Sequence, residues 1–273
     1  MGNPALQNLA SILCLKCGKS DWSITSESIV CNNCGHVNPI KDGHIVTTEN
    51  YINEKNWEGA NNSFEPLPGG KMAVNKLGGP RISELISKFG IEGLAINLGS
   101  GQDNYSGFIN VDLGFYKPVH IVAELKALPF TDSSISLIAS NSVLEHIYDY
   151  NKVIDEVYRV LKPGAYFYLC VPSVCARHHQ YDYHRWTSEG LKELLKNRFE
   201  IVEQGACRGV AYVLIPYVNY LIAYKVKNKF LVWLYKGIWN FISRPLFWIN
   251  DDNNEQYQSL SQTIYILARK NEI

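Results

Sequence analysis

Residues 95–113 read AINLGSGQDNYSGFINVDL, two short apolar runs joined by a glycine-rich turn. The first run ends in Gly-Ser-Gly at 99–101, and the second, 108–111, ends in Asp112. Apolar runs of this length between turn residues are typical of buried strands. A glycine turn after one strand and a carboxylate after the next predict the nucleotide-side half of a doubly wound α/β sheet. There the glycines let a ligand approach the backbone, and the acid accepts hydrogen bonds from ribose hydroxyls.

The connection between these two runs is unusually short. Only ten residues separate Gly101 from Asp112, whereas a parallel crossover normally needs about a dozen or more, including a helix. The first crossover helix is therefore predicted to be missing or reduced to a turn. Because a pyrophosphate is bound at a helix N-terminus, this spacing favours a cofactor without phosphate over a dinucleotide.

Length and composition limit the classes of protein. The 273 residues are 46% hydrophobic, enough for one large domain with a small appendage. The formal net charge of zero gives no global field that would recruit nucleic acid. Four of the seven cysteines stand in CxxC pairs, and no secretory signal precedes them, so we expect a cytoplasmic protein, in solution or at the membrane surface.

The paired cysteines predict a zinc ribbon. Thirteen residues separate the two CxxC pairs, a spacing typical of four thiolates around a closed structural Zn²⁺ site. The alternative is unpaired thiols in a reducing compartment. We predict a zinc ribbon at 1–50, a linker at 51–80 and the main domain at 81–273, with metal binding supplying the folding energy of the ribbon. The zinc ligands would be Cys14, Cys17, Cys31 and Cys34.

Further motifs follow the first two strands in a fixed order. Glu124 follows a third apolar run, LPF stands at 128–130, NSVLEH at 141–146, and LKPG at 161–164 precedes another run. In this order and spacing they resemble the class I S-adenosylmethionine-dependent methyltransferases. With the motifs GSGxxNYxGFINVD and YDYHRWT, the chain further resembles a branch of small bacterial enzymes linked to glycan or cell-surface biosynthesis.

The resemblance implies a fold, a cofactor and a binding site. The fold would be a Rossmann-like seven-stranded methyltransferase sheet, with a helical insertion at about 206–255 before the last strand. S-adenosylmethionine would lie with its methionine part on the glycine turn, its ribose on Asp112 and its adenine near Glu124. Asn97 replaces the usual acid of the first strand, and Asp103 the usual third glycine. The implied cofactor residues are Asn97, Gly99, Ser100, Gly101, Asp112, Glu124, Leu125 and Asn141.

Two stretches carry the predicted acceptor-side residues. A hydroxyl acceptor needs a base within reach of its proton, and the candidates are His146 and His184. The stretch ARHHQYDYHRW at 176–186 also supplies polar side chains for substrate contact: His178, His179, Asp182 and Arg185. Alternatively, these residues cap the helix or anchor the loop. No catalytic metal is predicted, because histidines clustered in one loop lack the geometry of such ligands.

The segment before the last strand is basic and aromatic. Residues 205–250 contain six basic residues, no acid and eleven aromatic residues. Its uncharged part, 209–224, is too short for the roughly 17–25 residues of a spanning helix. Residues 229–243 predict a helix with a basic stripe, as in interfacial helices that bind anionic lipid. The alternatives for 209–248 are packing over the sheet edge or homodimerisation, a membrane surface, and an acidic polymer such as RNA.

The function implied is methyl transfer to a hydroxyl or amine of a glycan, a lipid-linked saccharide or a small molecule. One alternative is an RNA base methyltransferase, since some of these pair a four-ligand zinc module with this fold. The zero net charge disfavours nucleic acid as a partner. The other alternative is a catalytically inactive cofactor-binding partner protein, suggested by Asn97 and Asp103.

Overall fold

Eleven strands, drawn from both halves of the chain, join in one mixed sheet. The computed structural model describes residues 3–52, 82–208, 210–243 and 259–272, so nearly all of the predicted linker lies outside the described residues. The strands are β1 (Trp22–Ile24), β2 (Ser28–Cys31), β3 (Val37–Lys41), β4 (His44–Val46), β5 (Ala95–Leu98), β6 (Phe108–Asp112), β7 (Ile121–Val122), β8 (Ile135–Asn141), β9 (Leu161–Pro172), β10 (Phe199–Arg208) and β11 (Thr263–Lys270).

Five α-helices and two short 3-10 helices lie within the described residues. The 3-10 helices span Pro4–Ser11 and Leu144–His146. The α-helices are α1 (Ile82–Phe89), α2 (Tyr150–Val160), α3 (Ser188–Leu195), α4 (Ala211–Lys225) and α5 (Lys229–Ile242).

The strand order is β1-β2-β3-β4-β7-β6-β5-β8-β9-β11-β10. The strands from β7 to β10 in this order are the seven predicted for the main domain, and β11 runs antiparallel between β9 and β10. The predicted count of seven is nevertheless wrong for the whole sheet. Strand β4 pairs in parallel with β7 through Ile45–Ile121 and Val46–Val122, so the N-terminal strands extend the sheet. This pairing covers an edge that would otherwise expose unpaired backbone groups.

The core lies on both faces of the central strands. All four residues of β5 are buried, which is typical of parallel strands covered by helices. Helix α2 buries Val153, Ile154, Val157 and Val160, an apolar stripe at helical spacing. This helix ends at Val160, just before Pro163, whose ring and missing N–H prevent continuation.

The segment between β5 and β6, which we name the crossover loop (residues 99–107), contains no helix. The predicted loss of the first crossover helix is confirmed. Buried amides fix this connection instead: Asn97 Nδ2 donates to Asn110 Oδ1 at 3.1 Å, and Asn110 Nδ2 donates to Asn104 Oδ1 at 2.9 Å and to the Pro118 carbonyl at 2.8 Å.

The segment between β10 and β11 is helical where it is described. Strand β10 extends to Arg208, and β11 pairs with it as far as Thr263–Arg208. Helices α4 and α5 follow. Among the described residues, no helix combines the length and apolar character needed to cross a bilayer.

Candidate active site

A cavity of about 530 Å³ opens at the carboxyl ends of the parallel strands, where ligands bind in open α/β sheets. Its volume lies in the roughly 300–1,000 Å³ range of small-molecule sites. Five of the eight predicted cofactor residues line it: Gly99, Gly101, Asp112, Glu124 and Leu125. The structure therefore brings the glycine turn and both acids together around one space.

The two glycines of the turn have left-handed backbones, with φ of 69° at Gly99 and 52° at Gly101. A Cβ at Gly99 would stand 2.5 Å from Val143 Cγ2, so that position has no room for a side chain. A Cβ at Gly101 would meet nothing within 4 Å. Gly101 thus presents bare backbone to open space, which is the surface that the methionine part of S-adenosylmethionine requires.

The two acids differ in their surroundings. Asp112 Oδ2 accepts the Gly101 N–H and Oδ1 accepts the Gly114 N–H, both at 2.8 Å. Burial raises the pKa of Asp112, although these backbone donors oppose the shift. Glu124 Oε1 accepts Asn50 Nδ2 at 2.8 Å, so the end of the N-terminal segment forms part of the cavity wall.

The other three predicted cofactor residues do not line the cavity. Asn97 is buried and uses its amide on Asn110 and on the Asp103 carbonyl, so it holds the crossover loop. Ser100 is buried too, and its Oγ has no hydrogen-bond partner among the described residues. Asn141 ends β8, where its side chain bonds Tyr105.

The segment between β9 and α3, which we name the His-rich loop (residues 173–187), folds back over the 3-10 helix Leu144–His146. His146 Nδ1 lies 2.6 Å from the Tyr181 carbonyl, and the Tyr183 N–H donates to the Glu145 carbonyl at 2.8 Å. Together these contacts place His146, His179 and Tyr181 on the cavity wall.

Glu145, His146 and His178 converge beside the cavity. The Glu145 side chain is fully buried, and its carboxylate receives no hydrogen bond from another described residue. Its Oε1 lies 3.8 Å from His146 Nε2 and 3.9 Å from His178 Nε2. Burial raises the pKa of Glu145 to about 7 and lowers the pKa of both histidines.

Three other residues that were predicted on the acceptor side hold the His-rich loop in place: Asp182, His184 and Arg185. Arg185 donates to Asp182, to the Cys175 carbonyl at 2.9 Å and to the Ala176 carbonyl at 3.1 Å. Burial raises the pKa of Asp182, but the Arg185 guanidinium and the His178 N–H outweigh it and lower the pKa to about 2. His184 Nε2 contacts the Tyr148 carbonyl at 3.1 Å. None of these three lines the cavity.

Several lining residues were not predicted from the sequence. Asn50 and Ile52 come from the N-terminal segment, and Tyr116 and Lys126 from loops on the cofactor side. Glu145 was missed as a site residue although it stands inside the quoted NSVLEH motif. The available signal was an acid next to the predicted base His146, both placed directly after a buried strand.

The four paired cysteines also come together. Their Sγ atoms all lie within 4.8 Å of one another, and Cys14–Cys34 and Cys17–Cys31 are 3.7 and 3.6 Å apart. Zn–S bonds of about 2.3 Å in a tetrahedron place neighbouring sulfurs about 3.8 Å apart. The cluster therefore fits a four-sulfur metal site.

Comparison with known proteins identifies the central domain. Residues 85–169 match a family model described as a methyltransferase domain, and this stretch carries the glycine turn, both acids and the Glu145–His146 pair. This part of the chain is therefore similar to methyltransferase domains. No curated protein sequence matches the chain significantly.

Solved structures show distant similarity. A Haemonchus contortus phosphoethanolamine N-methyltransferase 2 in complex with S-adenosyl-L-methionine is 18% identical, with a TM-score of 0.41 over 68% of this chain. The chain spans about half, 51%, of that protein. A Burkholderia thailandensis 1,6-didemethyltoxoflavin-N1-methyltransferase is 13% identical, with a TM-score of 0.43 over 69% of this chain and 76% of its own. Similarities this distant assign no substrate.

Proposed function

We propose that the chain is an S-adenosylmethionine-dependent methyltransferase that acts on a hydroxyl or amine of a glycan, a lipid-linked saccharide or a related small molecule. The observation that carries the proposal is one cavity with two chemically different walls. Gly101 and Asp112 line the part of the cavity that we assign to the cofactor, and His146, His179 and Tyr181 line the part that we assign to the acceptor. Aromatic and polar side chains of this kind suit a sugar or a planar acceptor.

Different residues of the chain bind the cofactor and take part in removing the acceptor's proton. Bound S-adenosylmethionine supplies an activated methyl group on a sulfonium, so positioning accounts for much of the rate. The glycine turn admits the methionine part, and Asp112 and Glu124 offer carboxylates to the ribose and adenine sides. Of the two predicted bases, His146 is the one that lines the cavity. The acceptor therefore loses its proton near His146.

Acceptor fractions test the substrate class. The full chain is incubated with methyl-labelled S-adenosylmethionine and separate saccharide, lipid-linked saccharide and RNA fractions, and transfer of label is counted. We expect label in a saccharide-containing fraction, and much less of it with the Asp112→Ala variant at the same low cofactor concentration. Label that enters RNA and is released by ribonuclease would overturn the proposal in favour of an RNA methyltransferase. Cofactor binding without transfer to any fraction would favour the inactive partner protein.

We further propose that the four cysteines hold a structural Zn²⁺. The sulfur geometry supports this, and four protein ligands leave no position for water. Because β4 pairs with β7 and Asn50 contacts Glu124, an ordered ribbon also supports the cofactor wall. We expect Cys31→Ser to lose about one zinc ion per chain and to weaken S-adenosylhomocysteine binding. Full zinc content in that variant would contradict the proposal.

Helices α4 and α5 support a third proposal, contact with an anionic membrane surface. Eleven large apolar or aromatic side chains of these helices are exposed, which favours an interaction surface over the alternative of packing over the sheet edge. An exposed apolar patch of this kind marks an interaction surface. Lys225, Lys227, Lys229 and Lys236 accompany it with no acid between residues 204 and 250, which fits anionic lipid better than a second identical chain.

Liposome sedimentation tests this surface. We expect the chain to pellet with phosphatidylserine-containing vesicles and to remain in the supernatant with phosphatidylcholine vesicles or in high salt. A Trp233→Ser, Phe241→Ser double variant should lose binding, since both side chains are more than two-thirds exposed. The matched control is Tyr148→Ser, an exposed aromatic residue outside the helices. Concentration-dependent dimerisation without vesicle binding would overturn the proposal.

A further inference from the structure

Glu145, His146 and His178 form a cluster that the family match does not explain. One ligand atom from each lies within 4.8 Å of the others. Two of them come from the 3-10 helix after β8, and the third comes from the His-rich loop after β9. The ends of two neighbouring strands therefore place three side chains that can bind a metal close together. His146 also lines the cofactor cavity, so the cluster lies beside that cavity.

The two imidazole rings, of His146 and His178, are oriented as metal-binding histidines are. His146 Nδ1 lies 2.6 Å from the Tyr181 carbonyl, which fixes that nitrogen as the protonated one. His178 Nδ1 lies 3.1 Å from Asp182 Oδ2. The Asp182 carboxylate favours a proton on the nearby Nδ1 of His178, and with that tautomer the Nε2 of each ring carries a lone pair. Both Nε2 atoms face Glu145 Oε1 at 3.8 and 3.9 Å. Histidines that bind metals characteristically donate their other ring N–H to a carbonyl or carboxylate in this way.

The buried carboxylate is the second, independent argument. Glu145 has no exposed surface, and its oxygens receive no hydrogen bond from another described residue. When Glu145 is ionised, two imidazole lone pairs and a carboxylate oxygen face one another with no donor among them. Buried polar groups are normally satisfied, and a cation at the centre would satisfy all three.

We propose that Glu145, His146 and His178 bind a divalent first-row transition-metal cation, Zn²⁺ or a similar ion, at the acceptor end of the cavity. The set of two histidines and one carboxylate is that of catalytic zinc centres and of non-haem iron centres. A tetrahedral zinc would place its nitrogen and oxygen ligands about 3.4 Å apart. The observed 3.8 and 3.9 Å, and a third separation within 4.8 Å, require the partly exposed histidine rings to move towards the ion.

The proposal rests on the methyl transfer proposed above and gives the metal a role in it. Three protein ligands leave a coordination position for an acceptor oxygen, whose O–H would lose its proton more readily on the metal. The proton leaves to solvent, the acceptor oxygen forms a bond to the methyl carbon, and the carbon–sulfur bond breaks. The electron pair stays on sulfur, so neutral S-adenosylhomocysteine is released. The metal changes neither its charge nor its oxidation state.

Metal content separates this site from the four-cysteine site. The full chain is saturated with Zn²⁺, passed through a desalting column and analysed by mass spectrometry for zinc. We expect about two zinc ions per chain in the wild type and about one in Glu145→Gln and in His178→Gln. The matched control is His184→Gln, in the same loop but bonded to the Tyr148 carbonyl, which should keep both ions.

Cobalt spectroscopy gives a second readout. Co²⁺ added to chains whose cysteine site already holds Zn²⁺ should produce weak visible bands without the intense thiolate charge-transfer bands of a sulfur site. Both variants should lose these bands. A wild type with one zinc and no Co²⁺ spectrum would overturn the metal site, and equal metal content in wild type and both variants would do the same.

A titration with S-adenosylhomocysteine keeps this proposal distinct from the proposed function. If the metal site is wrong, the wild type still binds the cofactor product, because the glycine turn and Asp112 do not belong to the cluster. If the cofactor product fails to bind while the second metal is present, the proposed methyl transfer fails and the metal site stands on its own.

Discussion

The crossover loop and the His-rich loop follow parallel strands at the same edge of the sheet, and they reach the same cavity by different means. Backbone N–H groups and neutral amides hold the first: the buried Asn97 and Asn110 and the exposed Asn104 carry most of its side-chain contacts. An ion pair between Asp182 and Arg185 and contacts of ring nitrogens hold the second. The comparison indicates that the cofactor side is built for rigidity, whereas the acceptor side concentrates charge and proton-binding groups.

The largest expected effect concerns the crossover loop. In Gly99→Ala the new Cβ would collide with Val143 and the left-handed backbone would be strained, so we expect the free energy of unfolding to fall by about 2–5 kcal/mol. Urea denaturation measures it. Gly101→Ala is the matched control, with the same strain but open space around the Cβ, and should cost about 1–2 kcal/mol.

The Gly99 result has its own internal check. Adding Val143→Ala to Gly99→Ala removes the colliding methyl groups while leaving the backbone strain, so the double variant should recover part of the stability lost. If both glycine variants lose the same stability and Val143→Ala restores nothing, the contact with Val143 does not determine the requirement for glycine at this position.

The second effect concerns the carboxylate at the end of β6. In Asp112→Ala the cofactor loses its ribose acceptor and two backbone N–H groups lose theirs. We expect S-adenosylhomocysteine affinity to fall about 10- to 100-fold, the worth of one hydrogen bond to a charged group. Isothermal titration calorimetry measures it. Asp103→Ala, an exposed acid in the crossover loop, should leave the affinity unchanged, and an equal loss there would argue against a specific role for Asp112.

Much of the cofactor side could be predicted from the sequence because its signals are local. The glycine turn, Asp112 and the short connection between them stand within 19 residues, and each follows directly from a buried apolar run. The absence of the crossover helix followed from counting residues. The amide network that replaces the helix could not be predicted, because the positions of three asparagines in the sequence do not show which of them form hydrogen bonds with one another.

The acceptor side depended on contacts between distant parts of the chain. His146 and Tyr181 are 35 residues apart, and their contact is what turns His146 Nε2 towards Glu145. Asp182 and Arg185 were predicted to contact substrate, yet their charges bind each other within the loop. The extension of the sheet by β4 was missed for a similar reason: its three residues are too few for a clear strand pattern, and its partner β7 lies about 75 residues away in the sequence.

The third prediction tests whether the two loops are independent. Arg185→Ala removes the partner of the fully buried Asp182 carboxylate and leaves three loop carbonyls without their donor. We expect the His-rich loop to open at least about tenfold more often, measured by amide hydrogen exchange, with S-adenosylhomocysteine affinity unchanged. Arg198→Ala, which breaks an exposed pair with Asp155, should change neither. A loss of cofactor affinity like that of Asp112→Ala would show that the loops are coupled.

The smallest expected effect is a pH dependence of the cofactor side. His120 Nδ1 accepts the Asn110 N–H at 2.8 Å, a bond that requires this nitrogen to be unprotonated. Burial, and secondly the charge of His44, lowers the pKa of His120 below its ordinary 6.5. Just below pH 6.5, the unfolded chain therefore binds more protons than the folded chain. The contribution of His120 to stability is complete above pH 6.5 and is lost as the pH falls through the lowered pKa. We expect the melting temperature of wild type to decline by a few degrees more than that of His120→Gln between pH 7.5 and 5.5, because glutamine can accept the same N–H without titrating. Parallel declines in the two proteins would show that His120 does not make the amide network sensitive to acid.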